Sequence, residues 1–103
     1  MTTKLTREQL MGQIAEAAVA FQLAETKRNS LRRELNSMYK TYFDAHGRPY
    51  ADTSKRVNPY DEAFAGVIRF TDAAYDRWYV ARNLTTKLKR NMRTLIQRLE
   101  RSL

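Results

Sequence analysis

Eight basic residues crowd the C-terminal quarter of the chain: Arg77, Arg82, Lys87, Lys89, Arg90, Arg93, Arg98 and Arg101 stand against Glu100 alone. The last 27 residues therefore hold +7 of a formal +8, and the other 76 hold +1. Six of the eight are arginine, whose planar guanidinium can grip a phosphate through two parallel N–H bonds. The chemistry on offer is anion recognition, and three partners fit it. Nucleic acid comes first because of the arginine excess. An acidic protein surface comes second and would need an apolar anchor as well. An anionic membrane comes third, because the apolar face of a basic helix here is needed for folding. Against all three stands a solvated face that merely complements the negative C-terminal end of a helix dipole. Tyr79, flanked by Arg77 and Arg82, is the aromatic candidate to stack on an unpaired base.

Other chemistry is sparse. His46 is the one histidine, and its place beside Gly47 suits the end of a helix better than catalysis or metal binding. Asp72 and Asp76 stand four apart, a spacing that could hold a divalent ion or share a proton, yet Arg69, Arg77 and Arg28 are expected to neutralise them as structural ion pairs. There is no phosphate-cradling glycine pattern, no His-Glu-x-x-His and no Gly-x-Ser-x-Gly. With no cysteine, thiol and disulfide chemistry are absent, and an intracellular, reducing location is the simpler expectation. No enzymatic activity and no cofactor are expected.

Two helices must position these groups. Thr6 and Gln9 form a capping box, and Leu10, Ile14, Ala17, Phe21, Ala24, Arg28, Leu31, Leu35, Met38 and Tyr42 then follow alternating steps of four and three along one seam. His46-Gly47 and Pro49 end that run. After a polar loop, Asn58-Pro59 reads as a cap followed by a first helical residue. Tyr60, Phe64, Val67, Thr71, Ala74, Trp78, Ala81, Thr85, Leu88, Met92, Leu95 and Leu99 repeat the four-three steps. The expected bounds are helix 6–46, loop 47–58 and helix 59–102. Folded back on each other with paired positions summing to about 102, the two seams set Tyr42 against Tyr60, Ala24 against Trp78 and Ile14 against Leu88. Arg28 then faces Ala74, within reach of Glu25, Asp72 and Asp76.

The whole chain has 103 residues, 43% hydrophobic and 29% charged, with three glycines and two prolines. That size allows one domain, and so few turn-forming residues disfavour a β-sandwich or barrel. No secretory signal or spanning segment is expected, because no apolar run is long enough. The expected fold is all-α: a single long antiparallel two-helix hairpin, coiled-coil-like, over 1–103. Since two helices bury little, further apolar residues at Met11, Ala15 and Ala18 on the first helix and Ile68, Tyr75 and Ile96 on the second suggest a homodimer closing a four-helix bundle, with Ile68, Tyr75 and Ile96 nearest the interface, or a hairpin docked on a larger assembly. The functional expectation is a small, soluble, nucleic-acid-binding protein that contacts phosphates through Arg82, Lys87, Lys89, Arg90, Arg93, Arg98 and Arg101, with Tyr79 stacking, and reads sequence weakly. The alternative is a non-enzymatic interaction module, an accessory or inhibitor protein docking on a larger complex.

Overall fold

The computed structural model describes residues 5–50 and 56–102. It is an all-α helical hairpin, with helix α1 over Arg7–His46, a short 3-10 turn over Glu62–Phe64, and helix α2 over Ala65–Arg101. Among the described residues there is no strand, and no helix is long and apolar enough to cross a membrane.

Helix α1 starts and stops as its end residues dictate. Thr6 N donates to Gln9 Oε1 at 2.9 Å and Gln9 N donates to Thr6 Oγ1 at 3.1 Å, so each satisfies an amide that the helix itself leaves open. At the other end Gly47 takes a φ of +77°, and its N–H donates to the Phe43 carbonyl at 2.8 Å. A side chain would oppose that left-handed turn.

Helix α2 begins later than its sequence suggests. Asn58 caps a turn instead of a helix: its Oδ1 accepts from Tyr60 N at 3.0 Å, and its carbonyl accepts from Asp61 N at 3.1 Å. Pro59, at the second position of that turn, has the φ that such a turn favours. Asp61 then caps the 3-10 turn, its side chain accepting from Ala63 N at 3.0 Å. Tyr50 ties the end of α1's trailing loop to this point, donating its hydroxyl to Asp61 Oδ2 at 2.5 Å and packing its ring 5.9 Å from Phe64. Residues 51–55 of the expected loop lie outside the described residues.

Two compact units make up the chain: Met1–Arg28 with Val80–Leu103, and Asn29–Tyr79. In the first, Leu10, Ala17 and Leu95 are buried, with Ile14, Met92 and Leu99 packed on them. In the second, Leu35, Phe64, Val67, Thr71 and Ala74 are buried, Leu35 completely. Each buried leucine, valine or phenylalanine side chain contributes about 1.5–3 kcal/mol. Buried threonines on the seam meet their own helix: Thr71 Oγ1 donates to Val67 O at 2.8 Å and Thr85 Oγ1 to Ala81 O at 2.7 Å, so no hydroxyl is stranded.

The facing pairs differ from the expected ones. Tyr42 packs against Phe70, at a ring separation of 5.7 Å, and over Gly66, whereas Tyr60 is 94% exposed. Trp78 lies under the Arg32 guanidinium. The shift along α2 is roughly two helical turns. Its cause is the Asn58–Asp61 turn and the 3-10 turn, which take up residues expected in the helix.

Candidate nucleic-acid interface

Seven of the eight clustered cations, all except Arg77, lie in the Met1–Arg28/Val80–Leu103 unit. Their common scaffold is the second half of α2, whose seam residues Ala81, Thr85 and Leu95 are buried. Anchoring one face leaves the others to solvent, and Arg82, Lys87, Lys89, Arg90, Arg93, Arg98 and Arg101 are all exposed. Helical geometry sorts them. Arg82, Lys89 and Arg93, seven and four apart, fall on one flank of the seam; Lys87 and Arg98 fall on the other side of the helix, with Arg90 and Arg101 between. From Arg82 to Arg101 the helix rises about 28 Å.

Among the described residues, acidic neighbours leave six of the seven unpaired. Ion pairs among the described residues include Arg28–Glu25 at 3.9 Å, Lys40–Asp44 at 2.6 Å and Arg77–Glu34 at 2.9 Å. Lys87, Lys89, Arg90, Arg93, Arg98 and Arg101 form none among the described residues. The last turn of α2 carries Arg98 and Arg101, where the helix dipole favours positive charge by a few tenths of a kcal/mol to about 1 kcal/mol each. That gain accounts for two cations and leaves the five upstream unexplained by the dipole.

Tyr79 is in the other unit. It is 44% exposed and stacks on Tyr75, with ring centroids 6.2 Å apart and planes 17° from parallel. The structure thus puts the seven cations together on one unit and Tyr79 in an aromatic group of the second.

The remaining candidates settle into structural surroundings. His46 packs on Tyr42 at a ring separation of 4.5 Å. Arg77 pairs with Glu34 across the two helices, not with Asp72 or Asp76 as its sequence position suggested. Asp72 and Asp76 instead border a cavity of about 350 Å³ with Tyr39, Ile68, Thr71 and Tyr75. Among the described residues no group of three His, Cys, Asp or Glu side chains could hold a metal ion.

Sequence reasoning passed over Arg32 and Arg48. The Arg32 guanidinium lies 4.8 Å from the centre of the Trp78 ring, and that of Arg48 lies 4.9 Å from the centre of Phe43. A signal for part of this was present: Arg32, Asn36, Tyr39 and Phe43 recur at steps of four, three and four, which is one stripe beside the α1 seam. The stripe's facing residues required the correct pairing of α1 with α2.

No family model, no curated protein and no solved structure matches this chain.

Proposed function

We propose that this protein binds nucleic acid through the phosphate backbone, using Arg82, Lys87, Lys89, Arg90, Arg93, Arg98 and Arg101 of α2. One observation carries the reading: these seven side chains are exposed together on a helix whose apolar face is already buried. A helix so placed is free to follow a phosphate backbone without unfolding. Base edges are read by side chains held in fixed register at a groove, and this face carries its amides, Asn83, Asn91 and Gln97, scattered among long cations. Backbone contacts therefore dominate and sequence preference is weak. Catalysis has no part in the proposal.

Fluorescence anisotropy with labelled duplexes of two unrelated sequences tests it. Both should bind with similar affinity, and exchanging Arg90 and Arg93 for glutamate should weaken both alike while circular dichroism keeps its helical signal. A wild-type affinity no tighter than about millimolar at low salt, weaker than ordinary non-specific binding, would overturn the proposal.

A second reading has its own observation. Met11, Val19 and Leu23, at 51%, 60% and 67% exposure, line the side of α1 away from the seam, with Ala15 completing a four-residue spacing. An apolar ladder of this kind suits a second copy of the chain. Antiparallel pairing about a two-fold axis sets Met11 of one copy opposite Leu23 of the other and Ala15 opposite Val19. Met11 and Ala15 belong to the surplus stripe expected from the sequence; of its members on α2, Ile68 and Ile96 are half-buried and Tyr75 is exposed.

A further inference from the structure

The Asn29–Tyr79 unit holds an open cleft of about 770 Å³ with two kinds of wall. Arg32, Lys40, Arg48 and Arg56 supply positive charge. Tyr39, Phe43, Tyr75 and Trp78 supply rings. Its one carboxylate, Asp44, is already engaged by Lys40 at 2.6 Å. That leaves three guanidinium groups in excess over acid, beside four aromatic side chains and the amide of Asn36.

We infer that this cleft binds a nucleoside phosphate, either as a free nucleotide or as an unpaired residue of a strand. Each part of such a ligand finds its chemistry here. A phosphate takes bidentate N–H bonds from arginine better than from lysine. A base has a π-face that stacks on tyrosine or tryptophan with little regard to its identity, a contact of large effect in single-strand binders. An amide side chain can donate to and accept from a base edge. The volume lies within the range of small-ligand sites. The Arg32 and Arg48 guanidinium groups sit over the Trp78 and Phe43 rings, contacts that hold each near its ring before a ligand arrives and lessen the ordering cost of binding. A purely inorganic anion would use the arginines and leave the rings idle.

This inference goes beyond binding by α2, because it stands on the geometry of a different unit and holds for a free nucleotide even if α2 binds nothing. Trp78 is the only tryptophan of the chain, so intrinsic emission reports on the cleft directly. The experiment titrates the whole protein with thymidine monophosphate, with an eight-residue oligothymidine, and with an abasic strand of the same length and charge. Saturable quenching of Trp78 by the first or the second, with little by the abasic strand, is expected. A response to the oligothymidine alone assigns the site to strands, and a response to both admits free nucleotides. Arg32→Gln and Arg48→Gln, each checked for unchanged helicity, should weaken the quenching at least tenfold in apparent affinity, whereas the Arg90/Arg93 double exchange to glutamate should leave the mononucleotide response unchanged. Emission that stays constant while an end-labelled oligothymidine is bound, as judged by anisotropy, would overturn the inference and leave the α2 proposal standing. Equal quenching by the abasic strand would also overturn it, making the cleft a site for anions without bases.

Discussion

Tyr42 and Gly66 meet so closely that a methyl group built on Gly66 collides with the Tyr42 hydroxyl. Alanine at an exposed helical position would ordinarily gain about 1 kcal/mol over glycine, but overpacking of this kind costs about 1–3 kcal/mol. Gly66→Ala is therefore expected to lower stability by about 1 kcal/mol in urea denaturation. In a Tyr42→Phe background, where the colliding oxygen is gone, the loss should shrink or reverse. At the loop, the hydrogen bond to Asp61 raises the Tyr50 phenol above its ordinary pKa, with desolvation and the Asp61 charge adding to the shift. A phenol whose folded pKa is raised contributes stability below the unfolded value near 10, and that contribution is lost as pH rises through the folded value. Tyr50→Phe should accordingly melt lower than the parent at pH 8, and the gap in Tm should close as pH climbs past 10. A gap that holds constant to pH 11 would show that the bond is not what ties the loop down.

At the scale of the helices, much was legible in the sequence because local chemistry decided it. The Thr6–Gln9 box and the Gly47 turn were both readable, since each depends on residues within four positions. So was the seam: Leu10, Ala17 and Leu35 on α1 and Val67, Thr71, Ala74, Ala81, Thr85 and Leu95 on α2 are all buried. What was not legible depended on competition between two plausible structures. Asn58-Pro59-Tyr60-Asp61 can start a helix or close a turn, and the bond from Tyr50 to Asp61, across eleven residues, favours the turn. That choice moved the facing pairs, and the pairs decided which aromatic residues share the Arg32 stripe. The cations of α2 were legible as a group from charge alone, whereas the cleft was not, because its walls come from two helices and the loop. The seam makes its own prediction. Leu35→Ala should cost about 2–5 kcal/mol, as a fully buried leucine does. Thr85→Val should be neutral or mildly stabilising, because the hydroxyl bonds only back to Ala81 and its loss strands no partner.

For the whole molecule, ten buried residues among those described make a thin core, and a small two-helix protein has little stability in reserve. Pairing through Met11, Val19 and Leu23 would cover apolar surface that a single copy leaves in water. Light scattering after size exclusion at tens of micromolar, roughly where weak obligate interfaces still hold, should find a dimer, and exchanging Val19 and Leu23 for glutamate should yield a monomer of unchanged helicity. A parent protein that is strictly monomeric there would remove the second copy from the account.

Binding of nucleic-acid phosphates by α2 is tested most directly by the salt dependence of duplex affinity. If about five of the seven cations reach phosphates, the logarithm of the binding constant should fall against the logarithm of salt with a slope of roughly 4 to 5. Removing Arg90 and Arg93 should lower that slope by about 2. A slope near zero, or one that the double variant leaves unchanged, would contradict the claim and show that the cationic half of α2 faces water without a nucleic-acid partner.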